Sequence, residues 1–98
     1  MDLVYPTESK GKLTLIHHSD SGHGWIAIPK EYVAFLQLHP SKYSYYNNGI
    51  VYLEEDCDAL QLFEALKKLN IEVHLKSNHV SGDSIIRAYD RITNVVYL

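Results

Sequence analysis

Residues 17–25 read HHSDSGHGW: three histidines, an aspartate and the chain's single tryptophan, with Gly22 and Gly24 flanking His23. Imidazoles beside a carboxylate are zinc ligands and general acid–base groups. Glycines let a backbone approach a bound group closely, and exposed N–H groups in such a loop cradle anions. The spacing matches no established zinc motif, and strand alternation sends His17 and His18 to opposite faces. The anion reading is the stronger, and it sets His23 and Gly24 against a ligand. Trp25 is expected to anchor the loop in the core rather than to stack on that ligand.

Three further groups carry chemistry. Glu54, Glu55 and Asp56 end an apolar stretch and precede a helical one, a place where layered α/β proteins often bind ligands. Glu55 is the carboxylate expected to accept from ribose hydroxyls or amino groups. Glu54 faces the other side of its strand, so the paired carboxylates of a glycoside hydrolase are not offered. The structural alternative is helix capping within a solvated charge run. In SKYSYYNNG (41–49), Tyr43 and Tyr45 share a side if the segment is extended, and two such rings can sandwich a flat base or mark a subunit interface. The alternative is one buried ring with two at the rim. Arg87, Tyr89 and Arg91 share a face if SIIRAYDRI (84–92) is extended, and Arg87 and Arg91 meet at i, i+4 if it is helical. Guanidinium forks match phosphate geometry. The alternative is a salt bridge to Asp83, Asp90 or the 54–58 acidic run.

The elements that must position these groups follow from periodicity. Leu13, Leu15 and His17 alternate with Thr14, Ile16 and His18, a strand of period two. Residues 19–24 form a connection to a second strand over 25–28. Pro29 fits the first position of a helix that His39-Pro40 ends. Asn48-Gly49 marks a turn, and IVYL (50–53), apolar throughout, reads as a central strand. Asp56 is the N-cap candidate of a helix whose stripe is Ala59, Leu62, Phe63, Leu66 and Leu69. Ile71, Val73 and Leu75 alternate with Glu72, His74 and Lys76 in a half-exposed strand, residues 77–83 form a loop, and NVVYL (94–98) reads as a terminal strand. The fold class is therefore α+β: β-β-α-β-α-β plus a C-terminal strand, with a mixed or antiparallel four- or five-stranded sheet and both helices on one face. Residues 1–98 form one domain, with 1–11 an irregular lead-in.

The 98 residues suit a single core. A net charge of −3, with nine basic residues, argues against a general nucleic-acid binder. Cys57 is the only cysteine, so an internal disulfide and a cysteine-rich zinc site are both excluded. The N-terminus lacks the pattern of a secretory signal, and no apolar run spans a bilayer. A cytoplasmic protein is expected. Eight tyrosines and six histidines are the compositional oddity, since both side chains join an apolar body to a polar tip and suit binding surfaces. No catalytic residue, metal or cofactor is assigned.

Taken together, GHGW (22–25), the helix led by Pro29, SKYSYY (41–46), YLEEDCDA (52–59) and SIIRAY (84–89) resemble a family of small bacterial proteins carried by phages, plasmids and other mobile elements. The resemblance spans residues 17–91, and YLEEDCDA and GHGW are its distinctive parts. It transfers no catalytic role. It implies a mobile-element origin in a bacterial host and, by association with other small proteins of that origin, action against host defence.

The expected function is a ligand-binding module that sequesters a phosphorylated nucleotide-type signal through His23, Gly24, Tyr43, Tyr45, Glu55, Arg87 and Tyr89. It is expected to be a homo-oligomer, with the apolar NVVYL end as an interface. One alternative is a small nucleotide hydrolase or phosphodiesterase with a histidine as acid or base. Another is a protein-binding inhibitor of a host defence complex, its EEDCD run mimicking nucleic acid against a basic surface.

Overall fold

Alternation along residues 12–19 produces strand β1 (Lys12–Ser19), in which Leu13 and Leu15 are buried and Lys12 and Ile16 exposed. The computed structural model describes residues 11–92. Both the lead-in, apart from Gly11, and the expected NVVYL strand lie outside the described residues. Strand β2 (Gly24–Pro29) runs antiparallel to β1, with His17 opposite Ile26 and His18 opposite Trp25. Strand β3 (Tyr45–Asn47) and strand β4 (Ile50–Glu54) form a hairpin. Its turn is Asn48-Gly49, at φ 52 and φ 85, as a primed two-residue turn requires. Strand β4 also pairs with β2, so IVYL is central as its composition predicts.

Helix α1 (Glu31–Phe35) follows β2, and helix α2 (Ala59–Lys68) leads from β4 to strand β5 (Glu72–His79). Strand β5 pairs parallel to β1 along its whole length. A 3-10 turn (Ile85–Ala88) then precedes strand β6 (Asp90–Arg91), which pairs with β3. Among the described residues the mixed sheet has six strands, in the order β5-β1-β2-β4-β3-β6.

The α+β class and the single mixed sheet stand, with six strands in place of four or five. The short strands β3 and β6 are added, and neither is long enough to show a period. The 77–83 segment is a loop only in its second half, because β1 holds β5 extended to His79. Pro29 ends β2 opposite Ile50 rather than opening a helix. Its missing N–H costs nothing there, and the next N–H, from Lys30, donates to the Gly49 carbonyl. Helix α1 stops well before His39-Pro40, with Gln37 at φ 55 just beyond it. The cap position of α2 is Asp58, not Asp56, and the Asp58 side chain makes no cap bond. Its carboxylate instead serves Ser41 and Ser44. SIIRAYDRI resolves into the 3-10 turn followed by the two-residue strand.

The main core lies on one face of the sheet. Leu13, Leu15, Ile26, Ile28, Val51 and Leu53 meet Tyr32 and Val33 of α1 and Ala59, Leu62 and Leu66 of α2. Both helices therefore cover the same face, as the apolar stripe of α2 demands. Leu66 is fully buried, so Leu66→Ala is expected to cost ~3 kcal/mol in urea unfolding, the sum of lost transfer free energy and a residual cavity. The opposite face carries a smaller cluster of Trp25, Tyr45 and Ile86, flanked by Tyr52 and Tyr89. Residues 80–89 cross this second face as a strap. Among the described residues no helix is long and apolar enough to cross a membrane.

Candidate functional site

The hairpin connection and the strap are fastened by one carboxylate. Asp20 is buried, and its Oδ1 accepts the backbone N–H groups of Gly22 and His23, each at 2.9 Å. Its Oδ2 accepts the Ser84 N–H at 2.8 Å. Arg87 donates to both oxygens, Nε at 2.6 Å and Nη2 at 2.9 Å. The Arg87 hydrogen bonds, reinforced by the three backbone N–H groups, hold the Asp20 carboxyl far below the usual carboxylate range against the opposing effect of burial. The same pairing raises the Arg87 guanidinium. Asp20 was not among the partners the sequence offered for Arg87. Of those that were, Asp83 stands at 3.8 Å.

Beside this clamp, on the second face of the sheet, lies a hollow of about 370 Å³. Its floor is aromatic: Trp25 and Tyr45 meet edge-on with ring centres 6.2 Å apart. The register makes this possible, since Trp25 lies opposite Glu54 on β4 while Tyr45 lies opposite Tyr52 on β4 and Arg91 on β6. The Arg87 guanidinium sits 5.8 Å from the centre of the Trp25 ring, and that of Arg91 sits 5.1 Å from the centre of Tyr45. Arg91 also donates to the Lys42 carbonyl at 3.0 Å, which leaves most of its five N–H donors for other acceptors. The indole N–H of Trp25 is buried and finds no hydrogen-bond partner among the described residues. Unpaired buried donors are rare and costly.

The acidic wall is Glu54, Asp56 and the backbone between them. Glu54 is buried, and its Oε1 accepts the N–H groups of Asp56 and Cys57 at 2.8 Å each, closing the turn that leads into α2. Its Oε2 stands 3.5 Å from His23 Nδ1. Cys57 also lines the hollow. Desolvation, the hydrogen bond to Glu54 and the charges of Glu54, Asp58 and Asp56 push its thiol up. It stays protonated at neutral pH, a poor nucleophile.

His23, Tyr43, Tyr45 and Arg87 thus come together around one hollow, whereas Gly24, Glu55 and Tyr89 do not line it. Glu55 lies on the helix-bearing face, where its Oε1 meets His17 Nε2 at 2.8 Å. Gly24 serves that pair instead of a ligand: a Cβ there would overlap the Glu55 carboxylate and come within 2.6 Å of His17 Nε2. Arg87 lies within the 3-10 turn and Tyr89 caps its end. Tyr89 lines a second hollow of about 310 Å³ with His18 and Asn78, its ring 5.3 Å from that of Tyr52. There burial, followed by the charge of His17, lowers the His18 imidazole, and burial, followed by Tyr89, raises the Tyr52 phenol.

Sequence reasoning missed Glu54, Asp56 and Cys57 as lining residues. Trp25 is the core anchor expected, 2% exposed, and it also lines the hollow. The available signal was register: the acid paired with Trp25 shares its face of the sheet, and that acid is Glu54. Among the described residues no three His, Cys, Asp or Glu side chains group so as to hold a metal ion. No family model, curated protein or solved structure matches this chain, so the reading of the site rests on its own geometry.

Proposed function

We propose that the chain is a binding module for a small, flat, phosphorylated ligand of the nucleotide type, which it holds without converting. The observation that carries this reading is the exposed Arg91 guanidinium, 5.1 Å from the centre of the Tyr45 ring, in a hollow that Trp25, Glu54 and Asp56 also line. The hollow's volume lies within the ~300–1,000 Å³ typical of small-molecule sites. Tyr43 and Tyr45 offer rings to a base, Glu54 and Asp56 offer acceptors to amino or hydroxyl donors, and the guanidiniums offer donors to phosphate. The raised thiol of Cys57, a poor nucleophile at neutral pH, favours holding over chemistry. Sequestration of a phosphorylated signal is the role that the mobile-element resemblance adds to this chemistry.

Calorimetric titration with cyclic nucleotides and ADP-ribose derivatives tests the proposal. Stoichiometric binding, with intact ligand released on denaturation, is the expected result. Absence of heat with every compound overturns it. Turnover beyond one equivalent favours the hydrolase alternative, for which His23 beside Glu54 is the acid–base candidate. Arg91 is exposed and outside the core, so Arg91→Ala is expected to weaken binding ~10-fold or more while leaving Tm near that of the parent.

A further inference from the structure

We infer that β5 is a dimerisation edge that adds a second copy of itself, antiparallel, to make one continuous sheet across two chains. This inference does not depend on the ligand proposal. Strand β5 is the outermost strand, and among the described residues only β1 pairs with it. It runs eight residues without proline, nearly all of them exposed. Long open edges of this kind are templates for strand addition unless they are blocked. At the opposite edge, β6 has two residues, and the described residues there offer no comparable template.

The backbone fixes which positions face outward. The N–H groups of Glu72 and Val80 donate toward the β1 side, to Gly11 and Ser19. Alternation along a parallel ladder then turns the backbone groups of Val73, Leu75 and Ser77 away from β1. An antiparallel copy must bond these outward positions to one another. Several registers satisfy that condition, and side-chain chemistry selects among them. Centring the pair on Leu75 sets His74 opposite the partner's Lys76 and Glu72 opposite the partner's Asn78, so that Glu72 keeps only its own strand's His74, 3.0 Å away. Centring it on His74 sets Val73 opposite the partner's Leu75 and Glu72 opposite the partner's Lys76, twice over by symmetry. In that register the charged pairs occupy the closely spaced, non-hydrogen-bonded positions, where cross-strand side chains interact most. Leu75, 47% exposed in the single chain, gains an apolar neighbour on the helix-bearing face. The edge is thus complementary to itself in bonds, charge and apolar contact.

Sedimentation velocity of the full chain across a dilution series tests the inference. The parent chain is expected to dimerise. Glu72→Lys places Lys opposite Lys and is expected to weaken association ~10-fold or more, as Lys76→Glu is by the opposite route. The double exchange, E72K with K76E, restores attraction and is expected to recover the dimer. All these positions are exposed, and near-UV circular dichroism confirms that each variant keeps the parent fold. A parent chain that stays monomeric overturns the inference. So does a dimer indifferent to Glu72→Lys, or a double exchange that fails to re-associate.

Discussion

Asp20→Ala is expected to detach the strap from the sheet, lowering Tm by ~10 °C or more and abolishing ligand binding at the hollow. The side chain is small and its position local, but five donors converge on it, from Gly22, His23, Ser84 and twice from Arg87. Alanine leaves all five without their acceptor and frees a guanidinium held against Trp25. Stranding a charge in this way costs far more than the net worth of the pair. Asp20→Asn keeps the shape but can accept at only one side-chain oxygen, so an intermediate loss is expected. The pH dependence has a fixed sign. The folded-state value of Asp20 lies far below the ~3.9 of an unfolded aspartate. The stabilisation is therefore present in full above that unfolded value and fades as pH falls below it toward the folded value. The Tm gap between parent and Asp20→Ala should accordingly be wide at neutral pH and narrow in acid. A gap that does not change with pH would show that the carboxylate's charge is not what fastens the strap.

Strand periods, the Asn48-Gly49 turn and the α2 stripe were legible in the sequence because each rests on contacts only a few residues apart. The alternation of β1 correctly parted His17 from His18, and that of β4 parted Glu54 from Glu55. It could not say which member of each pair lies on the helix-bearing face and which on the face that holds the hollow. That depends on register, and a one-residue slip exchanges the two faces. Of the second pair, Glu54 lines the hollow and Glu55 does not. The Asp20–Arg87 clamp joins positions 67 apart, and nothing local announces it. Arg87 was singled out for a phosphate, yet much of its hydrogen-bonding capacity goes to Asp20, so Arg91 is the better-placed cation. Strands β3 and β6 exist only because each finds a neighbour, which no period within two or three residues can reveal.

Asp58→Ala is expected to cost ~2–4 kcal/mol in chemical unfolding, more than a helix cap would account for. The carboxylate makes no cap bond to α2. A single oxygen, Oδ2, accepts from the Ser41 N–H and hydroxyl at 2.9 Å each and from the Ser44 hydroxyl. Ser44 is fully buried, and its Oγ accepts the Glu54 N–H at 3.0 Å. The chain of bonds therefore runs from the start of α2, through the segment before β3, to the residue that forms the acidic wall of the hollow. Because one oxygen takes all three donors, Asp58→Asn can present its amide oxygen in the same place. It forfeits only the charge assistance, and roughly half the loss is expected. Ser44→Ala breaks the same chain at its middle and strands the Glu54 N–H. The losses from Ser44→Ala and Asp58→Ala should then fall short of adding in the double variant, since each removes the link the other needs. Full additivity would mean that Asp58 acts on α2 alone. A shortfall accompanied by weakened ligand binding would tie this buried network to the placement of Glu54.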